Sequence, residues 1–366
     1  MKFSCSKETL LKPLQAVIGV VERRQTLPIL SNILLVADEK GLSLTATDLE
    51  VQLTATADIA VKQAGRAAVP GRKLLDICRS LPDGTELQIS IAKERATVKA
   101  GRSRFALALL SPGDFPLVED PKDTANLTMP EGKLKALIEQ TQFAMAQQDV
   151  RYYLNGLMLE FSKQGLRSVA TDGHRLALSD VEIEFDIAET QQIIVPRKGV
   201  LELSRLLEAG DGEAQIRLAA NHIQVVLPEL TFISKLVDGR FPDYQRVIPK
   251  GPSQELSADR DILRAALSRT AILSNEKYRG VRLHLSENTL RIVATNPEQE
   301  EAEEDVEVSY RGGNMEIGFN VRYLIDALNA IEGGDIQIQL SDANSSCLII
   351  DKASTQSQYV VMPMRL

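Results

Sequence analysis

Asp172 and His174 form the one pair in this chain whose types and spacing suggest catalysis, since a carboxylate can orient an imidazole as a general base. They flank Gly173, and an Asp-Gly step makes turns without any chemistry. His222 and His284 have no partner in the same phase, no metal-ligand spacing occurs, and no Ser or Cys nucleophile motif accompanies the pair. A G-x-x-x-x-G-K-[ST] phosphate loop is also missing. The chain is therefore expected not to be an enzyme and to use no cofactor and no metal.

The pair belongs to LRSVATDGHRLAL, Leu166 to Leu178, and versions of that stretch occur twice more. LSLTATD ends at Asp48 and LRIVATN at Asn296, so Asp48, Asp172 and Asn296 fall at equal steps of 124 residues, the mark of an internal repeat. Two further landmarks recur in the same order. AAVPGRKLLDICRSL from Ala67, IIVPRKGVLELSRLL from Ile193 and EIGFNVRYLIDALNAI from Glu316 each read as a strand running into a helix. SPGDFP at Pro116, DGRFPDY at Tyr244 and VVMPMRL at Leu366 close the copies. At 366 residues the chain suits three domains, taken as 1–120, 121–250 and 251–366.

No apolar run approaches the roughly 20 residues of a membrane span, and MKFSCSKETL lacks the apolar core of a signal peptide. A cytoplasmic location without a membrane partner is expected. Cys5, Cys78 and Cys347 are far apart and odd in number, which suits a reducing compartment, and Cys78 reads as a small buried hydrophobe. The net charge of −8 argues against coating nucleic acid with the whole surface. Acid is crowded into Asp114 to Asp123, Glu182 to Glu189 and Glu298 to Glu307, while Arg and Lys gather at the amino ends of the expected helices. An acidic average can hide a local basic surface.

The elements that position these residues repeat as well. Each copy is expected to open with an amphipathic helix: Leu10, Leu11, Leu14, Val17 and Ile18 share a face, as do Leu134, Leu137, Ile138 and Thr141, then Ile262, Leu263, Ala266 and Leu267. Ser6 with Thr9, and Ser257 with Asp259, offer caps. Period-two strands follow at 33–37, 42–47 and 51–57, at 156–161, 166–171 and 175–181, and at 281–285, 290–295 and 306–310. In the third copy the acidic run NPEQEEAEED reads as the connection between strands, composition alone making it a solvated loop. A second helix starts after Val69, Val195 and Ile317, and linkers rich in Pro, Asp and Gly are expected at 111–127 and 247–254. The class is α+β, with helices on one face of antiparallel sheets.

Modules repeated head to tail trace an arc, and a second chain closes it most simply. The ends offer opposite charge, with Lys73, Arg95, Arg102 and Arg104 in the first module and Glu298, Glu300, Glu301, Glu303 and Glu304 in the third. Phe105 and Leu107, with Ile272 and Leu273, supply apolar contact between them.

Several long segments carry a resemblance over essentially the whole chain: TLPILSN from Thr26, QDVRYYLNG from Gln148, VATDGHRLA from Val169, SKLVDGRFPDY from Ser234, AILSNEKYRGVRL from Ala271, NPEQEEAEE from Asn296 and YVVMPMRL from Tyr359. The chain resembles the bacterial DNA sliding clamps, the beta subunits of DNA polymerase III. The resemblance implies the DNA clamp fold: a homodimeric head-to-tail ring of six similar domains, helices lining the bore, threaded by duplex DNA and tethering the polymerase. A rival reading from the repeat alone is a scaffold that binds proteins without encircling DNA.

A clamp must hold DNA yet let it slide, so its lining must meet phosphates loosely and read no sequence. Helix-borne candidates are Lys12, Arg72, Lys73, Arg79, Arg197, Lys198, Arg205, Arg264 and Arg269, joined by loop positions Lys277, Arg279 and Arg282. The resemblance adds direct contact through a loop around Arg24 and through Gln148, Arg151, Tyr152 and Tyr153. Tyrosines beside Arg can stack on exposed bases, although composition alone favours packing for Tyr152 and Tyr153. Gln147 stands where related sequences often carry His.

The resemblance also implies a pocket for a short linear motif of polymerases and clamp loaders. Its positions here are Leu154, Thr171, Gly173, His174, Arg175, Leu176, Pro242, Arg246 and Val247, then Tyr323, Ser346, Val360, Met362, Pro363, Met364 and Leu366, with Asn320 at the rim. An apolar, Met-containing groove adapts to several Leu or Phe anchors while Arg and backbone groups orient an extended peptide. Asn344 is less apolar than that groove asks for. The implied partners are the polymerase III alpha subunit and other polymerases, the clamp loader delta subunit, and mismatch-repair and ligase-type proteins.

Overall fold

A computed structural model describes residues 1–21, 27–118, 125–249, 251 and 254–365. The chain divides into two compact units, Met1–Leu134 with Leu201–Leu236, and Lys135–Val200 with Val237–Leu366. Six helices are described: α1 Lys7–Val17, α2 Gly71–Ser80, α3 Glu131–Glu139, α4 Arg197–Leu206, α5 Arg260–Thr270 and α6 Val321–Ala330.

The first unit holds two antiparallel sheets. A five-stranded sheet ends on one side at Ser103–Ala108, and an eight-stranded sheet joins Leu230–Lys235 to Val51–Ala57. The second unit holds a nine-stranded sheet, in which Arg175–Glu182 pairs with Ser357–Val361, and a four-stranded sheet that ends at Glu301–Glu307. One joint is thus made twice: the strand after the repeated turn accepts the closing strand of the next copy. Ser103–Ala108 and Glu301–Glu307 occupy the same two places in the repeat, and each is a sheet edge.

Helix starts follow the expected chemistry. The Ser6 side chain accepts from Thr9 N at 3.2 Å and Asp259 from Ile262 N at 2.8 Å, each satisfying an amide the helix leaves orphaned. Six expectations are corrected. Each copy opens with a strand, Lys2–Ser6, Ala125–Pro130 or Gln254–Asp259, whose alternation of Phe3 and Cys5, Leu127 and Met129, Leu256 and Ala258 is too short to stand out beside a helix. Ser257 therefore lies in a strand and is no cap, and the linkers at 111–127 and 247–254 are shorter than expected, since Leu127 and Gln254 are ladder residues. Ile262 is 58% exposed; the inward face of α5 is Leu263, Ala266, Leu267 and Thr270. The acidic run is no loop at Glu301–Glu307, which pairs along its length with Thr289–Thr295, and the strand expected at 306–310 is split between this one and Ser309–Tyr310. Cross-strand Arg291, at 3.1 Å from Glu303 and 2.9 Å from Asp305, offsets the repulsion that makes such a strand unfavourable.

Cys5, Cys78 and Cys347 are free and buried. Burial pushes the thiols of Cys5 and Cys347 up to about 12 and that of Cys78 to about 11, which keeps all three protonated and unreactive near neutrality.

Candidate functional site

The turn after strand Gly165–Thr171 builds one wall of the expected pocket. Thr171 Oγ1 donates to Arg175 O at 2.6 Å and accepts from Gly173 N at 3.1 Å. Asp172 Oδ1 accepts from His174 N at 2.9 Å and Arg175 N at 3.0 Å, so this carboxylate shapes the turn. Gly173 has φ 87°, which favours glycine, and a Cβ there would stand 3.0 Å from a guanidinium nitrogen of Arg151, which would have to shift slightly. His174 is exposed, and its carbonyl accepts from Met362 N at 2.9 Å.

Arg175 is fully engaged within the protein. Its nitrogens reach Asp172 at 3.1 Å, Asp326 at 2.5 Å and Phe143 O at 2.7 Å, and its guanidinium carbon lies 4.5 Å from the Tyr323 ring centroid and 5.2 Å from that of Phe143. It therefore holds the turn against α6 and fixes Tyr323, whose phenol burial pushes above its ordinary pKa with the Asp172 charge adding to the effect.

Beneath the turn, Leu176 and Val360 belong to a buried cluster with Met158, Val169, Leu178, Phe241, Tyr244 and others, against which Tyr153 and Val247 pack. Leu154 is buried, while Pro242 and Arg246 stand exposed, Arg246 pairing with Asp243 at 2.8 Å. Met362, Pro363, Met364 and Ser346 are half-buried, and Met364 N donates to Gly318 O at 2.9 Å. Asn320 caps α6 by accepting from Arg322 N at 3.0 Å. Leu366 lies outside the described residues. The turn and the carboxy-terminal segment thus set half-buried Met362 and Met364 and exposed Pro242 and Arg246 around a buried apolar cluster.

Most candidate DNA-contact residues also have protein partners. Arg205 donates to Gln15 O at 3.3 Å and Ala16 O at 2.7 Å at the carboxyl end of α1 and pairs with Glu202. Arg72 reaches Val21 O at 2.7 Å, Arg197 reaches Met145 O at 3.1 Å, Lys12 pairs with Glu229 at 2.6 Å, and Arg264 lies 3.4 Å from Asp261. Lys198 is half-buried, and Arg79 and Arg282 are exposed, the latter 3.7 Å from Glu316. Lys277 sits over the Tyr278 ring at 5.2 Å, next to Arg279 at φ 50°. Arg24 lies outside the described residues. In the other loop, exposed Gln148 has φ 57°, and Arg151 binds Asp149 through Nε at 3.0 Å and Nη2 at 2.9 Å, holding that carboxyl down to about 2. Tyr152 is 58% exposed, whereas Tyr153 is half-buried, so the two adjacent rings differ in what they offer a base.

At the two open edges the charges are opposite. Arg95, Arg102 and Arg104 are exposed on or beside the first, with Phe105 half-buried and Leu107 buried, and Lys73 is exposed on α2. Glu298, Glu300 and Glu301 are exposed at the second, and Ile272 nearby is 75% exposed beside half-buried Leu273. Arg269, a candidate for DNA, forms a two-pronged bond to Glu304, lowering the Glu304 pKa. Sequence reasoning missed Asp149, Arg167 and Arg291, each of which matters only once a strand register or loop closure is known.

Family models match three consecutive segments: the N-terminal domain of the DNA polymerase III beta subunit at residues 1–119, its central domain at 128–243 and its C-terminal domain at 245–365. The chain is similar to the beta sliding clamp of Pseudomonas aeruginosa, at 55% identity, and to that of Escherichia coli, at 51%, each over 367 residues and all of both chains. Among solved structures, a sliding clamp from Pseudomonas aeruginosa bound to griselimycin matches with TM-score 0.97 and 55% identity. One from Bartonella birtlesii, also bound to griselimycin, matches with TM-score 0.96 and 38% identity; both comparisons cover all of each chain.

Proposed function

The chain belongs to the DNA polymerase III beta subunit family and is a DNA sliding clamp of replication, a non-catalytic processivity factor, and from that premise we propose that two copies close head to tail around duplex DNA. The observation that carries this is the joint made twice within the chain and left open at its ends. Pairing Ser103–Ala108 of one copy with Glu301–Glu307 of another repeats the joint a third time and covers two edges that would otherwise invite uncontrolled pairing. Opposite charge at the edges favours this pairing over either edge with itself.

The six domains of the ring, three per chain at 1–120, 121–250 and 251–366, direct Arg72, Arg79, Lys198, Lys277, Arg279, Arg282 and the loop of Gln148, Arg151 and Tyr152 toward phosphates. Charges that keep protein partners hold DNA weakly and without register, which suits sliding. The pocket over Leu176 and Val360 takes a linear motif from the polymerase III alpha subunit, other polymerases, the clamp loader delta subunit, and mismatch-repair and ligase-type proteins in the cytoplasm. Sliding clamps from Pseudomonas aeruginosa and Bartonella birtlesii bind griselimycin, and this chain is expected to bind it as well.

Sedimentation combined with small-angle scattering tests the ring. The reading expects the mass of two chains and a profile with a central void; a monomer, or a filled particle of dimer mass, contradicts it.

A further inference from the structure

We propose that Arg167 is a positioning residue of the partner pocket, acting through the Tyr244 hydroxyl on the turn that carries the pocket rim; this rests on the pocket reading above. Arg167, on Gly165–Thr171, lies directly opposite Asp180 in the ladder. Its Nε and Nη2 take the two Asp180 oxygens at 2.6 and 3.0 Å, a forked geometry that fixes the plane of the guanidinium. The remaining terminal nitrogen, Nη1, donates to Tyr244 Oη at 2.9 Å, and Glu160 lies 3.7 Å away on the same side.

Tyr244 is 6% exposed and belongs to the cluster that floors the pocket with Leu176, Leu178 and Val360. It opens a single turn, Tyr244–Arg246, closed by Val247 N donating to Tyr244 O at 3.1 Å. Pro242, Arg246 and Val247, the rim and part of the wall, all lie within three residues of it. A loop with so few backbone bonds takes its position from its buried anchor. Packing around that anchor is open on one side, where a surface crevice of about 260 Å³ is lined by Arg167, Leu178, Asp180, Tyr244 and Ile248 among others. Close-packed interiors resist movement; a ring packed on one side and bordering an open crevice on the other depends on its directional bond as well.

The test uses the full-length protein and a fluorescein-labelled pentapeptide ending in Leu-Phe, followed by stopped-flow dissociation. Tyr244→Phe removes only the hydroxyl and is expected to raise the dissociation rate about 5-fold with little change in association rate or melting temperature. Arg167→Met acts through the same bond, so the double variant loses no more than the larger single effect. Leu176→Ala, a change in the floor itself, separates this proposal from the pocket reading. If Leu176→Ala speeds dissociation and Tyr244→Phe does not, or if the two single effects add, the role of Arg167 is overturned and the pocket stands. If neither change alters binding, both are wrong.

Discussion

The turns at Thr47–Val51 and Thr171–Arg175 are built alike and do different things. In the first, Thr47 Oγ1 donates to Val51 O and accepts from Leu49 N, and Asp48 Oδ1 accepts from Glu50 N and Val51 N, bond for bond as around Asp172. Lys235 N donates to Glu50 O at 2.9 Å, just as Met362 N does to His174 O at 2.9 Å. The side chains then diverge. Val51 is buried where Arg175 grips α6, and Gln52, 6% exposed, accepts from Val118 N at 2.8 Å where Leu176 joins an apolar floor. The backbone joint is therefore architecture common to the copies, and the pocket comes from a few side chains added to one of them. In the third copy the turn is extended around Asn296, whose Oδ1 accepts from Glu300 N, and its strand pairs on one side only, leaving the other open.

The largest expected effect breaks the joint left for a second chain. Glu301→Arg combined with Glu304→Arg sets like charges against the basic edge and strands Arg269; dimer affinity in low salt should fall at least ~10-fold by sedimentation. An unchanged profile would exclude this interface.

A second pair sharpens the comparison of the two turns. Gly173→Ala must hold φ 87° and displace Arg151, so it is expected to cost about 1–2 kcal/mol in denaturant unfolding and to weaken peptide binding. Leu49 already bears φ 78°, so Leu49→Gly should be neutral or stabilising by up to ~1 kcal/mol. Equal losses in both would mean that the turns are not equivalent.

The smallest effect is in pH. Arg151 depresses the Asp149 pKa to about 2, so the pair's contribution is fully present above the unfolded value of about 3.9 and is lost only as pH falls through the folded one. Asp149 should stay ionised from pH 7 to 4 in an NMR titration; a midpoint near 4 would mean that the pair is not formed in solution.

The repeat was legible because Asp48, Asp172 and Asn296 build turns whose chemistry does not depend on what surrounds them, and the cap at Ser6 was legible for the same reason. Glu301–Glu307 was not, because its charges belong to a loop until Arg291 and Arg269 arrive from a neighbouring strand and a helix. The pocket residues could be named from resemblance, but nothing in their order reveals that Arg175 is bonded to Asp172, Asp326 and Phe143 or that Arg167 stands behind Tyr244. Such roles depend on which side chains meet across strands, and that is decided by register.

Retention on DNA tests the central claim most directly. Clamp assembled on a nicked circular plasmid should remain through gel filtration and be lost once the plasmid is cut to a linear form, because only a closed ring is held by topology. Equal retention on both forms, or equal loss from both, would contradict encirclement.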